Sequence, residues 1–285
     1  MELYDIIDTE RKPLLKGWIR ALLIIIPFFI FTAVFQAAGY LVLGLKDAKL
    51  ITFVDTTILQ IFSTIGTFLL VYLFTRFIDK KNFKSVGFQL KCHTLDIIEG
   101  FIVGALIMPV GLLILLTLNE VEFVNIDFNI YKILISIVLF VFVAFNEEIF
   151  MRGYVLNNFL QSMNKYLALI LSSLIFSLIH FLNPNFGLMS FINIFLAGML
   201  LGVSYIYTKN LWFPIALHFS WNFFQGTVFG FKVSGKSMYS IINHHPVENN
   251  LLNGGDFGFE GSIFCLIFTV VAFFVIRRCV MSKNI

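Results

Sequence analysis

Three apolar segments of this sequence each contain side chains that could carry out acid–base chemistry. The first holds Glu147, Glu148 and Arg152, the second holds His180, and the third holds His218 and Asn222. A charged or imidazole group within a membrane span costs several kcal/mol unless it is paired or hydrated. We therefore treat all six residues as candidate functional residues.

The spacing of these residues predicts how they share helix faces. Glu148 and Arg152 are four residues apart and lie on one face, whereas Glu147 points about 100° away. The arginine can then neutralise one carboxylate and leave the other free; the alternative is a charge cluster at a helix end in the membrane interface. His218 and Asn222 also share one face. His180 taken alone fits a structural role equally well.

Together these groups suit the hydrolysis of an amide bond. A carboxylate and an imidazole can take a proton from water near neutral pH. A second imidazole and an amide NH₂ group can donate hydrogen bonds to the oxyanion of a tetrahedral intermediate. The other three histidines, His93, His244 and His245, lie in polar connections, where we expect solvated side chains.

The composition indicates which class of fold must position these residues. Of the 285 residues, 59% are hydrophobic, 13% are charged and 36 are phenylalanine, whereas about a quarter of a soluble domain is charged. A water-soluble globule is therefore excluded. At about 20 residues per span, the length leaves no room for a separate soluble domain. The sequence predicts an all-α, polytopic transmembrane helical bundle, with residues 1–285 as a single integral-membrane domain.

Apolar runs bounded by charged or turn residues predict eight spans. They lie near residues 18–43, 51–78, 96–118, 130–152, 166–182, 188–208, 211–231 and 262–280. The one long connection, residues 232–261, is expected to fold over one face of the bundle. With straight helices, Glu147 lies near one end of the fourth span and His180 about 22 Å along the fifth. Either the segment 157–165 runs along the surface or inside the bundle, with the fifth span ending at mid-depth, or these boundaries are wrong.

The distribution of charges predicts the membrane topology. The charges and the cysteines also argue against several classes of binding site. With both termini in the cytoplasm, the inner segments hold 15 of the 20 Lys and Arg residues, which is the distribution that the positive-inside rule favours. The net charge of +3 is not concentrated in a basic tract, so nucleic-acid binding has little electrostatic basis. The three cysteines, Cys92, Cys265 and Cys279, form no CxxC motif and indicate neither a disulfide framework nor a thiolate metal site.

The ordered motifs EExxxR at Glu147, FxxxH ending at His180 and HxxxN starting at His218 resemble those of the CPBP family of intramembrane proteases. This family includes the type II CAAX prenyl proteases and the bacterial bacteriocin-processing or Abi proteins. The motif-bearing core covers about residues 120–230. The stretch Asn253–Ser262 resembles a segment that many bacterial members carry after the third motif, whereas the first three spans match no motif.

The resemblance implies a role for each residue. Glu147 would be the water-activating carboxylate with His180 beside it, Glu148 and Arg152 would complete and orient the first motif, His218 would be the second catalytic imidazole and Asn222 an oxyanion donor. The family is described as metalloproteases in some accounts and as glutamate-dependent proteases in others. A zinc ion could take His180, His218 and Glu147 as ligands, but Asn222 suits an oxyanion better than a zinc ion. We favour chemistry without a metal cofactor.

Two other classes remain open. A membrane scaffold or bacteriocin self-immunity protein of the same fold would bind a partner without catalysis; its expected signature is the loss of a catalytic position, and none is missing. A transporter would show paired inverted repeats, and none is apparent. The expected partners are a peptide or membrane-protein substrate and membrane lipid. The composition suggests a bacterial cell membrane. Neither the substrate nor the oligomeric state follows from the sequence.

Overall fold

The computed structural model describes residue 13 and residues 15–45, 51–90 and 93–283. Within these ranges the chain forms a bundle of eight helices with little β structure, which confirms the predicted fold class. The helices are α1 (Gly17–Leu43), α2 (Phe53–Ile78), α3 (Thr94–Thr117), α4 (Ile130–Phe159), α5 (Lys165–Ile179), α6 (Leu188–Thr208), α7 (Trp212–Asn222) and α8 (Ile263–Lys283). Cys92 and the basic residues Arg11, Lys12, Lys46, Lys49 and Lys91 lie outside the described residues.

Each of the eight predicted spans forms a helix, but the helices differ in length. In the part of the chain that the structure describes, six are long and apolar enough to cross a membrane: α1, α2, α3, α4, α6 and α8. Helix α5 has 15 residues and rises about 22 Å, which is less than a hydrocarbon layer of about 30 Å. Helix α7 has 11 residues and continues as a π-helical segment, Phe223–Val228. The two short helices are those that lead to His180 and carry His218.

Helix α7 is held in the bundle by a close crossing with α3. A Cβ atom on Gly100 would lie 2.5 Å from the carbonyl oxygen of Phe213, and one on Gly104 would overlap the hydroxyl of Ser220. The sequence Gly100–Gly104 is a GxxxG pattern, and small residues at this spacing let membrane helices approach closely. The pattern therefore fixes the distance of the His218 helix from its neighbour.

A buried polar network ties three helices together at one end of the bundle. Arg20 of α1 forms an ion pair of 2.7 Å with Asp79, which follows α2 directly. Asp79 also accepts hydrogen bonds from the Tyr154 hydroxyl, at 3.0 Å, and from the Asn158 amide, at 3.3 Å, both on α4. Arg20 donates a further hydrogen bond of 2.8 Å to Gln161. Each of these residues except Gln161 is almost fully buried.

Two strands that the sequence analysis did not predict form a small sheet. Strand β1 (Val121–Ile126) pairs antiparallel with β2 (Ile242–Pro246), and an irregularity lies between Phe123 and Asn125. The pairing joins the connection after α3 to the long connection before α8. Side chains reinforce it, because Asn253 donates to the carbonyl oxygen of Glu120 at 3.3 Å and the Tyr239 hydroxyl to that of Asp127 at 2.6 Å. The segment 232–261 was predicted to fold over one face of the bundle, and the structure places it over one end.

The connections between helices lie at the two ends of the bundle. Successive connections alternate between these ends, as the eight predicted spans require. At the end of the Arg20 network, Asn157 donates to the carbonyl oxygen of Ser85 at 3.0 Å, and Asn210 to that of Gln89 at 2.6 Å. At the opposite end, Asn185 contacts the carbonyl oxygen of Asp256 at 3.2 Å. Segments assigned to the same side of the membrane thus contact one another.

Candidate active site

A cavity of about 470 Å³ lies inside the bundle and contains the candidate residues. Its walls come from α1, α2, α4, α5, α6, α7 and the segment 232–261. Glu147, His180, His218 and Asn222 all line it. Residues from three separate sequence motifs are therefore brought to one volume, as the amide-hydrolysis hypothesis requires.

Glu148 and Arg152 form a buried ion pair beneath the cavity. The guanidinium donates to the Glu148 carboxylate at 2.8 Å, with side-chain exposures of 3% for Arg152 and 0% for Glu148. It also donates to the carbonyl oxygen of Gly198 at 3.1 Å and lies 4.5 Å above the ring of Phe176. The pair is therefore enclosed by protein and is not a solvated charge cluster at a helix end.

Glu147 points away from this pair, towards the two imidazoles. One oxygen of its carboxylate, Oε2, lies 3.8 Å from Nε2 of His180 and 3.8 Å from Nε2 of His218. The same oxygen is buried and accepts no hydrogen bond. Because polar atoms this far apart are often bridged by water, the three groups can hold one water molecule between them.

Hydrogen bonds on the far side of each ring fix the orientation of both histidines. Nδ1 of His180 lies 2.7 Å from the carbonyl oxygen of Phe176. A carbonyl oxygen only accepts, so this nitrogen carries the proton. Nδ1 of His218 lies 2.7 Å from the Glu148 carboxylate and donates in the same way. In both rings the other nitrogen, Nε2, is left facing Glu147.

Asn222 completes the lining of the cavity one helical turn beyond His218. Its residue is 4% exposed, and its carboxamide makes no hydrogen bond to any residue that the structure describes. An amide in this position can donate its NH₂ group to an atom that enters the cavity. The described geometry thus fits an oxyanion donor at Asn222.

The conflict in depth between Glu147 and His180 is resolved by the boundary of the fourth span, which was predicted wrongly. Helix α4 does not end at Arg152 but continues to Phe159 through a π-helical segment, Ile149–Leu156. From the turn after Phe159, Glu147 lies about 18 Å back along α4 and His180 about 22 Å forward along α5. The two residues therefore reach similar depths. The prediction ended the helix at a charged residue, but the ion pair allows that residue to be buried.

A third carboxylate, Glu260, lines the same cavity and was not singled out from the sequence. It accepts a hydrogen bond of 2.6 Å from the backbone N–H of Ser234 and interacts electrostatically with His180 and His218. Burial raises the pKa of Glu260, and the Ser234 hydrogen bond partly opposes that shift. A sequence signal exists in retrospect, because a carboxylate stands between the apolar Phe259 and Gly261 in a glycine-rich stretch.

Local backbone constraints hold Glu260 in place. The amide of Asn193, on α6, donates to the carbonyl oxygens of Glu260 and Ser262, at 2.8 Å each. Gly254 and Gly258 have φ angles of 84° and 93°, a region that residues with a Cβ atom rarely adopt. The glycines of this stretch therefore shape a turn that presents one carboxylate to the cavity.

The remaining histidines lie outside the cavity. His93 contacts Asp96 at 2.6 Å, and His245 is exposed near Glu122. His244 differs from its expected solvated state, because Nε2 donates to the carbonyl oxygen of Phe229 at 2.8 Å and its ring packs 4.6 Å from that of Phe231. Pairing within the β sheet orients it towards the protein.

The zinc hypothesis requires three donors that converge on one point. Among the described residues, no group of three His, Cys, Asp or Glu side chains is arranged to hold a metal ion. The donors that the sequence suggested, His180, His218 and Glu147, all line the cavity, and Oε2 of Glu147 lies 3.8 Å from Nε2 of each histidine.

One of the three comparisons with known proteins finds a match, and it covers the segment that carries the site. Residues 129–224 match the family model described as Type II CAAX prenyl endopeptidase Rce1-like. No curated protein and no solved structure is significantly similar to the chain. The matched segment runs from the residue before α4 to the π-helical segment after α7 and contains all six candidate residues. Residues 129–224 are therefore similar to the Rce1-like type II CAAX prenyl endopeptidases, which supports the resemblance to the CPBP family of intramembrane proteases.

Proposed function

We propose that this protein is an intramembrane endopeptidase that hydrolyses peptide bonds of peptides or membrane proteins. The observation that supports this most directly is the unpaired Glu147 oxygen, which faces one nitrogen of each catalytic-motif histidine within a cavity. A carboxylate oxygen that is buried without a hydrogen-bond partner is costly in a structural role. In a hydrolase the same oxygen is the proton acceptor for water.

In the proposed first step, Glu147 and Nε2 of His180 remove a proton from a water molecule that attacks the substrate carbonyl carbon. A carbon–oxygen bond forms, and the carbonyl π electrons move to the oxygen. His218, held by Glu148 through Nδ1, and the Asn222 amide donate to this oxyanion. The carbon–nitrogen bond then breaks, and the leaving amine takes up the proton held by Glu147 or His180.

The charge balance of the site supports this division of roles. Nε2 of His218 donates only when the ring is doubly protonated, because Nδ1 already carries a proton for Glu148. With Glu147, Glu148 and Arg152 ionised, a protonated His218 brings the sum of these four charges to zero. A neutral cluster is far easier to bury in an apolar surrounding than one with net charge.

Peptide products identify both the activity and the substrate. Membrane peptidomes of cells with the wild-type protein and with Glu147→Gln should differ in products that only the wild type generates. Glu122→Gln is the matched control, because Glu122 is exposed on β1 and outside the cavity. If wild type and Glu147→Gln yield the same peptides while both bind a common partner, the protein acts as a scaffold or immunity protein.

We propose that the reaction uses no metal ion. A zinc ion would supply Lewis-acid activation of water, with His180, His218 and Glu147 as the candidate ligands. Purified protein should then retain activity in a strong chelator and should contain well under one equivalent of zinc by elemental analysis. Loss of activity on chelation with recovery on adding zinc, together with a zinc content that falls in His180→Ala, would make it a metalloprotease.

We also propose that the protein lies in a bacterial cell membrane with both termini in the cytoplasm, on the basis of the distribution of lysine and arginine. Lys84 and Asn249 are exposed at opposite ends of the bundle. In a cysteine-free background, a cysteine at position 84 should react only from the cytoplasmic side and one at position 249 only from outside. Reaction of both positions from the same side contradicts this topology.

A further inference from the structure

One wall of the cavity carries polar groups that the proposed reaction does not use. This wall, formed by α1, α2 and α4, presents three carboxamides and three hydroxyl groups, namely Gln36, Gln60, Asn146, Thr32, Thr56 and Ser63. None of the six carries a charge. They lie on helices whose remaining surface is largely apolar, so their grouping on the cavity wall requires a reason.

Asn146 is the most buried of the three carboxamides. It is 8% exposed, lines the cavity directly before Glu147, and its Oδ1 atom is buried without a hydrogen-bond partner. Val143 and Glu147 line the same cavity, so this face of α4 points inward. Buried polar groups in native proteins are nearly always paired. An unpaired amide beside the proposed general base therefore indicates a partner that is absent from the free protein.

The two glutamines repeat this pattern on the neighbouring helices. Gln36 has no hydrogen bond to any residue that the structure describes, and the Gln60 amide makes only a long contact of 3.5 Å to Thr64. Thr32 lies one turn from Gln36 on α1, and its buried hydroxyl oxygen also has no partner. Each helix therefore offers unused hydrogen-bonding capacity to the same volume.

The chemistry of these groups specifies their ligand. A carboxamide both donates and accepts hydrogen bonds, as a peptide group does. An extended peptide in an apolar surrounding must have its N–H and C=O groups satisfied by the protein, because no lipid group can replace water. A charged ligand would instead need an opposite charge on this wall. Neutral carboxamides thus match the main chain of a peptide.

We propose that Gln36, Gln60 and Asn146 form a main-chain binding subsite that holds the substrate as an extended strand beside Glu147. This inference rests on the proposed peptidase function. Recognition through the main chain makes cleavage tolerant of side-chain sequence, and it requires the substrate to unwind from a helix before it is cut.

The test pairs a protein change with a substrate change. Gln36→Met plus Gln60→Met removes both amides with little change in side-chain volume, and Gln89→Met is the matched control, because Gln89 is exposed at the opposite end of the bundle. The probe is a fluorescent apolar decapeptide and its copy N-methylated at alternate residues. Binding is measured in the Glu147→Gln background, so the readout does not depend on cleavage.

We expect N-methylation to weaken binding about tenfold when both glutamines are present, and less than twofold when both are methionine. In the catalytically intact protein the double change should raise KM by about three- to tenfold and change kcat by less than twofold. Equal N-methylation effects in both backgrounds overturn the subsite. If wild type binds the decapeptide with this pattern but cleaves no peptide, the proposed peptidase function fails while the subsite stands.

Discussion

Two buried arginine–carboxylate pairs occur in the same bundle but have different surroundings. Arg20 and Asp79 are 2.7 Å apart at one end, and Arg152 and Glu148 are 2.8 Å apart beneath the cavity. Helix α4 contributes to both clusters. The pairs match in chemistry, burial and distance, so the difference between them lies in what surrounds each carboxylate.

Both oxygens of Asp79 have partners within the protein. The second cluster includes an additional carboxylate, Glu147, that has an oxygen without a partner. The Asp79 oxygens bind Arg20, Tyr154 and Asn158, and Asp79 does not line the cavity that holds Glu147. Glu147, next to the second pair, keeps one oxygen unpaired and faces a cavity. A buried ion pair alone therefore indicates structure. An ion pair beside a carboxylate oxygen that faces a cavity without a partner is what the proposed function requires.

The largest expected effect on activity comes from Glu147. Glu147→Gln should lower the cleavage rate at least about 100-fold, because the general base is removed. The thermal unfolding midpoint in detergent should stay near that of the wild type, since Glu147 contributes no hydrogen bond to the fold. His180→Ala and His218→Ala should remove activity to a similar extent, as groups of one catalytic unit do. If the His180→Ala variant cleaves substrate as fast as the wild type, His180 takes no part in the mechanism.

Substitution of Arg152 should affect both the cleavage rate and the stability of the fold. Arg152→Ala leaves Glu148 charged and buried, and loss of one partner of a buried pair typically costs about 3–5 kcal/mol. Folded yield and cleavage rate should therefore both fall. The double change Glu148→Gln plus Arg152→Gln removes both charges and should restore part of the yield. If Glu147→Gln proves the least stable variant and Glu148→Gln is inactive, the roles of the two carboxylates are reversed.

Asp79 should affect stability alone. Asp79→Asn leaves Arg20 without its counter-ion, although the Gln161 hydrogen bond remains, so we expect a loss near the lower end of the same range, about 3 kcal/mol. The cleavage rate per folded molecule should not change. Urea or thermal unfolding measures the first quantity, and titration of active protein measures the second. A fall in the rate per folded molecule would couple this network to the active site.

Of the four residues, Glu260 should show the smallest change when the effects on rate and on stability are compared as free energies. Glu260→Gln keeps an oxygen that can accept from the Ser234 N–H but removes a negative charge near both imidazoles, so we expect the cleavage rate to fall about threefold. Asp256→Asn, an exposed carboxylate in the same glycine-rich stretch, is the control. An unchanged rate in Glu260→Gln together with a large loss in Glu260→Ala would limit the role of Glu260 to holding the backbone of residue 234.

Much of the fold could be predicted because hydropathy and helix length constrain a membrane bundle so strongly. Pairing of Glu148 with Arg152 also followed from helical spacing. The end of α4 did not, because the cost of burying Arg152 depends on a carbonyl from α6 and a ring from α5. The β1–β2 pair was missed because its two short strands lie far apart in sequence. Glu260 was missed for a similar reason: its neighbours come from α6 and from residue 234.

The β1–β2 pairing has a consequence for the order in which the molecule is made. Residue 246 leaves the ribosome roughly 6–25 s after residue 121 at about 5–20 residues per second. By then both histidines and both adjacent glutamates have been synthesised, but the glycine-rich stretch that presents Glu260 to the cavity has not. The nascent chain therefore contains the other candidate catalytic groups before it contains Glu260, so the candidate site is complete only after the glycine-rich stretch has been synthesised.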